Sequence, residues 1–191
     1  RAHAFGDEME VFIPAPGMHM VYNALAAISV GYLMGVKPAK MQQALAMFRN
    51  AGMRQEIIKR DGYTVIADCY NAGPESMEAA LQVLADTPTQ GRRIAVLGDM
   101  LELGVCSPAE HYRIGRLAAQ TANALFAYGK MAGRYISGAV TGGMNQKRVT
   151  TYKTHEELAD ALKRFAKPGD VLLFKGSRGM RMEQALEMFF Q

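Results

Sequence analysis

Polar side chains that could do chemistry follow short apolar stretches in the second part of the sequence. Asp68 and Asn71 come after one such stretch, Asp99 after the next, and Lys175 and Ser177 after the last. If these stretches are parallel strands, their carboxyl ends meet at one edge of a sheet, where open α/β sheets bind ligands. The convergence of acidic, amide and basic groups on one edge therefore predicts a binding site, more strongly than any single residue does.

The last of these segments has the composition of an anion site. Lys175, Ser177 and Arg178 lie among glycines and just ahead of a predicted helix. Cations, a hydroxyl and the backbone N–H groups of a helix N-terminus are the usual ligands of a phosphate or carboxylate. We therefore expect a small anionic group to bind here.

The other polar residues at this edge also have ordinary structural explanations. Asp68 could cap the helix that follows it, and Asn71 could be a turn residue. Asp99 and Glu102 could lie in a solvated loop. The sequence leaves these alternatives open.

Several common catalytic patterns are missing from the sequence. There is no G-x-x-x-x-G-K-[ST] phosphate loop, no G-x-G-x-x-G fingerprint and no H-E-x-x-H spacing. Ser177 has no G-x-S-x-G frame. The two cysteines, Cys69 and Cys106, can neither build a disulfide framework nor supply four zinc ligands, so reduced thiols are expected.

Composition and charge favour a globular protein with a small anionic ligand. The chain has 191 residues, 49% of them apolar, and 22 Lys+Arg against 18 Asp+Glu. The segment 163–183 alone carries a charge of +4, the same as the whole chain, so the excess is local and no nucleic-acid partner is predicted. The longest apolar run, 24–36, is broken by polar and glycine residues and is too short for a membrane span.

The first part of the sequence reads as a fragment of a domain. It predicts a strand over 8–13 and helices over 18–34 and 38–48, followed by a linker at 50–52. The first helix would bury Val21, Leu25, Ile28 and Leu33. A strand and two helices cannot form a core alone. The chain also starts without Met and without the apolar segment of a signal peptide, so we expect it to be part of a longer protein.

The second part alternates strands and helices. Asp61-Gly62 predicts a hairpin turn, and Ser107–Glu110 and Thr154–Glu157 read as capping boxes that open helices. Apolar runs at 94–97, 125–128 and 171–174 are typical of parallel strands that are covered on both faces. The fold class predicted is α/β: a doubly wound, Rossmann-like domain with a mostly parallel sheet.

Several motifs resemble those of the Mur ligases. Gly17-Met-His19-Met-Val-Tyr-Asn23-Ala-Leu-Ala resembles the G-x-H-N-x-x-N-x-x-A signature late in the central ATPase domain of that family, with Met20 in place of the usual Asn. Four further segments are similar to the branch of the family that adds a dipeptide, with Gly73 as a second departure from Asn. These segments are Asp68–Met77, Leu97–Gly104, His111 and Lys175–Glu183.

The resemblance, which runs from about Pro14 to the end of the chain, implies an ATP-dependent amide-bond ligase. Residues 1–52 would be the tail of the central ATPase domain and 53–191 the C-terminal Rossmann-like domain. The enzyme would join D-alanyl-D-alanine to UDP-N-acetylmuramoyl-tripeptide through an acyl phosphate, for peptidoglycan synthesis in the bacterial cytoplasm. The phosphate loop and most ligands of the required Mg²⁺ would lie in upstream domains. The chain alone would then hold no complete catalytic set and no metal site, and it would be inactive.

The resemblance also assigns roles to individual residues. Asn23 would contact the adenine of ATP with His19 beside it, and Arg54 would reach the phosphates. Asp68 would accept hydrogen bonds from the ribose hydroxyls, and Asn71 would lie near the triphosphate. The substrate side would be lined by Lys175, Ser177 and Arg178.

Two other functions remain as alternatives. A related Mur-type ligase could use a different amino acid, although the segments after Asp68 and Asp99 favour the dipeptide-adding branch. A signalling module of the phospho-receiver kind could use Asp99 and Lys175 at neighbouring strand ends. Such a site needs a pair of carboxylates for magnesium, and Asp68 supplies only one.

Overall fold

The protein, in a computed structural model that describes residues 2–4, 6–50 and 52–191, divides into two compact units. The first unit, Arg1–Ala51, contains an antiparallel pair of short strands and two helices. Its elements are β1 (Ala2–Ala4), β2 (Asp7–Met9), α1 (Met18–Leu33) and α2 (Pro38–Ala46). Pro38 begins α2 as predicted, because a missing N–H costs nothing in the first turn. The strand predicted over 8–13 is wrong beyond Met9.

The core of the first unit is small, and it uses a different face of α1 from the one predicted. Met20, Ala24 and Ile28 recur every four residues and are buried, and Ile28 packs with Met9 and Met41. The predicted core residues Val21, Leu25 and Leu33 are exposed instead, so this part of the prediction is wrong. The strand pair and α2 together cover only one narrow stripe of the helix.

The second unit, Gly52–Gln191, is built on a six-stranded sheet in the order β3-β4-β8-β5-β6-β7. β3 is antiparallel to β4 through the predicted turn, where Asp61 and Gly62 both have positive φ, and the other neighbours are parallel. The strands are β3 (Glu56–Arg60), β4 (Tyr63–Asp68), β5 (Arg93–Gly98), β6 (Ala124–Tyr128), β7 (Val149–Tyr152) and β8 (Val171–Lys175). The helices are α3 (Pro74–Asp86), α4 (Ser107–Thr121), α5 (Ala132–Thr141), α6 (His155–Phe165) and α7 (Met182–Phe189).

Helices cover both faces of this sheet, which confirms the predicted doubly wound architecture. Successive residues of a strand point to opposite faces. Leu173 therefore packs in the core formed with α3, α4 and α5, whereas Leu172 and Phe174 pack in the core formed with α6 and α7. The central strands β5 and β8 are buried, apart from Arg93 at the start of β5, as their uninterrupted apolar runs predict.

The helices α4 and α5 pack unusually closely, because each presents a glycine to the backbone of the other. A Cβ atom on Gly138 of α5 would overlap the carbonyl oxygen of Tyr112, and one on Gly115 of α4 would overlap that of Tyr135. The close approach brings His111 of α4 and Tyr135 of α5 together, with ring centroids 4.8 Å apart.

The two predicted capping boxes have different outcomes. The Thr154 hydroxyl accepts a hydrogen bond of 3.2 Å from the N–H of Glu157, so this N-cap is confirmed. The Glu157 carboxylate accepts from the N–H of Lys153 at 3.0 Å instead of from that of Thr154, so the reciprocal half of the box is missing. The cap at Ser107 is wrong: Ser107 is already the first residue of α4, and a 3₁₀ turn over Gly104–Cys106 precedes it. The Ser107 hydroxyl lies 3.3 Å from Nδ1 of His111 instead.

Candidate functional site

Five parallel strands, β4 to β8, end at the same edge of the sheet, and the ends of β4, β5 and β8 carry most of the predicted site residues. The chain passes from β4 to β5, and β8 later inserts between these two strands. This is the topological switch point at which open α/β sheets bind ligands. We refer to one group of residues as the strand-end site: Asp68, Asn71, Asp99, Lys175, Ser177 and Arg178.

A buried ion pair lies at the centre of the strand-end site. Asp68 and Lys175 are register partners on β4 and β8, and Nζ of Lys175 donates a hydrogen bond of 2.6 Å to Oδ2 of Asp68. The same ammonium donates to the carbonyl oxygen of Asn71 at 3.0 Å. Because Lys175 is only 2% exposed, its charge is used to hold Asp68 and the loop after β4. Oδ1 of Asp68 accepts no hydrogen bond from another residue that the structure describes, and the side chain keeps 10% exposure.

Ser177 joins three of the loops. Its hydroxyl donates to the carbonyl oxygen of Ala72 at 3.2 Å and accepts from the N–H of Leu101 at 2.9 Å. Its own N–H donates to the carbonyl oxygen of Asp99 at 3.1 Å. Ser177 is buried, and its polar atoms thus hold the loops after β4, β5 and β8 together.

Asp99 connects the loop after β5 to the start of α5. Its carboxylate oxygens accept from the N–H of Met131 at 3.1 and 3.2 Å. Burial raises the pKa of Asp99, and the backbone N–H groups of Met131 and Lys130, together with the Lys130 charge, oppose this shift only in part. Gly129 is required beside it, since its φ is 123° and a Cβ atom there would overlap the Asp99 carboxyl.

His111 lies behind the same loop and is fully buried. Its Nε2 is 2.9 Å from the N–H nitrogen of Met100, and its Nδ1 is 2.7 Å from the carbonyl oxygen of Ser107. Tyr135 donates its hydroxyl to the carbonyl oxygen of Gly98 at 3.0 Å, and burial raises the pKa of this tyrosine well above its usual range. The sequence offers one hint of these contacts: His111 shares the apolar stripe of α4 with Ile114.

Three of the predicted residues are exposed to solvent around the buried pair. The guanidinium of Arg54 lies 4.0 Å from the centre of the Tyr70 ring. The Oδ1 atom of Asn71 accepts from the N–H of Ala72 at 2.9 Å, as expected of a turn residue. Arg178 pairs with Glu183 at 2.7 Å. The buried charges of Asp68 and Lys175 thus compensate each other, while the Arg54 guanidinium and the Arg178–Glu183 pair lie at the exposed surface.

The two predicted adenine contacts lie in the other unit. His19 and Asn23 are one helical turn apart on α1, where His19 is partly buried and Asn23 is exposed. The amide of Asn23 contacts the Met20 sulfur at 3.8 Å.

The described ranges contain no group of three or more His, Cys, Asp or Glu side chains placed to hold a metal ion. No helix within them is both long and apolar enough to cross a bilayer. Burial, followed by the charges of Glu183 and Asp68, raises the pKa of the Cys69 thiol to about 12, whereas Cys106 is exposed.

Solved structures with this fold include bacterial ligases. MurF from Acinetobacter baumannii superimposes with a TM-score of 0.82 at 30% identity, covering 94% of this chain and 39% of that one. A MurF ligase from Thermotoga maritima, solved in complex with ADP, gives a TM-score of 0.78 at 26% identity over 92% of this chain and 38% of that one.

Sequence comparison gives the same relatives. The UDP-N-acetylmuramoyl-tripeptide–D-alanyl-D-alanine ligase of Bacillus subtilis is 39% identical over 184 residues, which are 95% of this chain and 40% of the relative. The corresponding Escherichia coli ligase is 33% identical over 180 residues, 93% of this chain and 38% of the relative. The chain thus spans about two fifths of the length of the curated relatives it matches. Residues 53–178 match the family model described as "Mur ligase, glutamate ligase domain", and the chain belongs to the Mur ligase family.

Proposed function

We propose that the chain is the C-terminal part of an ATP-dependent ligase that joins D-alanyl-D-alanine to UDP-N-acetylmuramoyl-tripeptide in peptidoglycan synthesis in the bacterial cytoplasm. The observation that carries the proposal is the Asp68 carboxylate at the topological switch point. Lys175 holds one of its oxygens, and no other described residue donates to the second oxygen, which can therefore accept from a ligand hydroxyl. An ionised carboxylate in this position suits the ribose hydroxyls of ATP. The names of the MurF relatives support the choice of substrates.

Residues 1–52 belong, in this proposal, to the tail of the central ATPase domain, and residues 53–191 form the C-terminal domain. The exposed apolar side chains of α1, such as Tyr22, Val30 and Leu33, support this division, because such a face is typical of a helix taken from a larger domain. Upstream parts of the same protein would supply the phosphate loop and most magnesium ligands. The 191-residue chain alone would be inactive.

The residues of this chain act by binding and positioning. Asp68 accepts hydrogen bonds from the ribose hydroxyls of ATP. The exposed Arg54 neutralises charge on the phosphates, and Asn71 lies beside the triphosphate. On α1, Asn23 contacts the adenine and His19 lies next to it.

On the substrate side, Arg178 is the exposed donor for the dipeptide carboxylate. The sequence assigns Lys175 and Ser177 to the same surface, but their hydrogen bonds to Asp68, Ala72 and Leu101 favour positioning over direct contact. This division of labour makes Arg178 the residue whose loss affects the dipeptide most directly.

The reaction itself needs no protein nucleophile. A carboxylate oxygen of the tripeptide attacks the γ-phosphorus of ATP, and ADP leaves. The dipeptide amine then attacks the acyl carbon, phosphate leaves, and the nitrogen loses a proton. Catalysis of this kind depends on orientation and on stabilising negative charge, which is what a rigid edge bearing exposed arginines provides.

A related ligase with another amino-acid substrate is the second candidate, and the family description "glutamate ligase domain" is the observation that favours it. A phospho-receiver fits poorly, because the Asp99 carboxylate is buried and bonded to backbone N–H groups.

Phosphate release by the full-length ligase that carries this chain tests the proposal. Release should require MgATP, UDP-N-acetylmuramoyl-tripeptide and D-alanyl-D-alanine together. Asp68→Asn leaves the buried Lys175 ammonium without its partner, so the assay is run under conditions in which urea unfolding shows the variant folded. Under these conditions the variant should lower kcat/KM for ATP by about 10-fold or more, the loss expected for a hydrogen bond to a charged group. Asp160→Asn, at an exposed aspartate on α6, is the matched control and should change nothing. Release that ignores the dipeptide but responds to another amino acid would favour the second candidate.

A further inference from the structure

His111 contacts the loop after β5 through a backbone hydrogen bond, and it has no role in the predicted site or in the proposed chemistry. Nε2 of His111 lies 2.9 Å from the backbone nitrogen of Met100. A backbone N–H can only donate, so Nε2 must be an acceptor and carry no proton. Nδ1 lies 2.7 Å from the carbonyl oxygen of Ser107, which can only accept, so Nδ1 must carry the proton. The nearest Asp99 carboxylate oxygen is 3.9 Å from Nε2, beyond hydrogen-bond distance, and the Ser107 hydroxyl is 3.3 Å from Nδ1, farther than the carbonyl oxygen. The two shorter contacts therefore fix one tautomer.

Because the imidazole is buried, the loss of either hydrogen bond would be costly. His111 is fully buried, and Met100 is 1% exposed, so no water replaces either partner at low cost. The Tyr135 ring packs beside the imidazole, and Gly115, one turn along α4 from His111, allows α5 to approach closely enough for this contact. The orientation of the imidazole is therefore fixed by packing as well as by its two hydrogen bonds.

The Met100 N–H lies between two groups that hold Ser177. The carbonyl oxygen of Asp99 accepts from the Ser177 N–H at 3.1 Å, and the N–H of Leu101 donates to the Ser177 hydroxyl at 2.9 Å. The Ser177 hydroxyl in turn donates to the carbonyl oxygen of Ala72, in the loop that follows Asp68. Fixing Met100 therefore fixes both groups that hold Ser177.

We propose that His111 is a positioning residue for the strand-end site: as the Nδ1-protonated tautomer it holds the Met100 N–H and thereby keeps the loops after β4, β5 and β8 in their working arrangement. It acts through Met100 and Ser177 and touches no substrate. The structural part of this proposal stands without the proposed ligase activity, and only the kinetic readout rests on it.

Nuclear magnetic resonance on the 191-residue chain tests the tautomer directly. A scalar coupling across the hydrogen bond should connect the Met100 amide nitrogen to Nε2 of His111. The nitrogen shifts should identify Nε2 as unprotonated and Nδ1 as protonated. A proton on Nε2, or the absence of the coupling when other buried amides are well resolved, would overturn the proposal.

Two amide substitutions separate the two hydrogen bonds of the imidazole. The Gln side chain in His111→Gln reaches the position of Nε2 and can accept from Met100, whereas the Asn side chain in His111→Asn reaches only the position of Nδ1 and keeps the Ser107 contact. We expect the Leu101 amide to exchange its hydrogen at least about 10-fold faster in His111→Asn, while His111→Gln stays close to the wild type, because only the former loses the buried acceptor.

The full-length ligase provides the functional readout. His111→Asn should lower kcat by about 10- to 100-fold, the loss expected when reacting groups are displaced slightly, and His111→Gln should recover most of it. Equal loss in both variants, with Leu101 exchange also equal, would reduce His111 to a packing residue and contradict the proposal. If no variant of the ligase shows activity with any amine while the coupling and exchange results hold, the proposed function fails and the positioning role stands.

Discussion

Nζ of Lys175 and Oδ2 of Asp68 are 2.6 Å apart in the interior of the second unit, on residues that face each other across a parallel β-ladder. A lone charge at such a depth would be very unfavourable, so each group is tolerated because the other is present. The pair fixes the end of β4 relative to β8, and no other residue within the described ranges donates a hydrogen bond to the second carboxylate oxygen.

Removal of the lysine alone should destabilise the fold strongly. Lys175→Met leaves the buried Asp68 carboxylate without its cation and should lower the free energy of unfolding by about 3–5 kcal/mol. Urea unfolding of the 191-residue chain measures this change. The double variant Asp68→Asn with Lys175→Met should recover part of the loss, because no charge is then left buried. Arg113→Ala, which breaks exposed pairs with Glu78 and Glu110, is the control and should cost about 1 kcal/mol or less.

Neighbouring residues after β8 should separate substrate contact from positioning. In the full-length ligase, Arg178→Ala should raise KM for the dipeptide about 10-fold or more, because a charge-assisted contact to the substrate carboxylate is lost. The same variant loses the pair with Glu183, which should lower the unfolding free energy by about 1 kcal/mol or less, because the arginine side chain is exposed. Ser177→Ala should instead lower the unfolding free energy by about 1–3 kcal/mol, because the Leu101 N–H loses its acceptor. A stability loss in Arg178→Ala with unchanged KM would contradict this division.

The close packing of α4 on α5 predicts a sharp difference between two glycines of the same helix. Gly138→Ala forces a methyl group onto the carbonyl oxygen of Tyr112 and should cost about 1–3 kcal/mol or more. Gly133→Ala meets nothing within 4 Å and should be neutral or stabilising, since alanine favours helix. Thermal unfolding of both variants measures the contrast, and equal midpoints would show that the helices separate easily.

Asp170, which precedes β8 at the opposite edge of the sheet, should make the free energy of unfolding depend on pH in the acid range. Burial raises the pKa of Asp170, but hydrogen bonds from Arg92, at 2.6 and 2.8 Å, and from the Lys167 N–H outweigh it and hold the pKa below its usual value. A depressed folded-state pKa adds stability above the unfolded-chain value of about 3.9 and loses it as the pH falls through the folded-state value.

The variant Asp170→Asn should therefore be less stable than the wild type by about 1–3 kcal/mol at neutral pH, and the gap should close in acid below pH about 4. Urea unfolding at several pH values provides the measurement. Asp61→Asn, at an exposed aspartate paired with Arg60, should show almost no gap at any pH. A gap for Asp170→Asn that persists undiminished in acid would mean that the carboxylate charge is not its cause.

The sheet of the second unit is readable from the sequence because its signals are local. Uninterrupted apolar runs, a two-residue hairpin turn and the Thr154 cap each depend on neighbouring residues alone. The face of α1 is not readable in this way, since nearly all of the helix is apolar and only tertiary packing selects Met20, Ala24 and Ile28. The Ser107 cap fails because the preceding residues form a 3₁₀ turn, which a capping pattern does not encode.

For the strand-end site, the sequence predicts which residues meet at one edge of the sheet but not which of them form hydrogen bonds or ion pairs with each other. Asp68 and Lys175 are 107 positions apart, and their contact depends on the register between β4 and β8. The same limit applies to His111, whose Met100 partner is set by the path of a loop. Residue types and strand ends locate a site, whereas the pairing of charges within it requires the three-dimensional fold.

The hydrogen bonds that order the strand-end loops, those of Lys175, Ser177, Asp99 and His111, all run between residues of the second unit. The strand-end loops are thus held together within the second unit alone. A chimera that receives residues 52–191 in place of the matching segment of a relative would inherit these loops already assembled. Any substrate preference that is set by residues 52–191 would then be that of the protein that donates the segment. An exchange whose boundary lies between β5 and β8 would separate hydrogen-bonded partners and disrupt the loops.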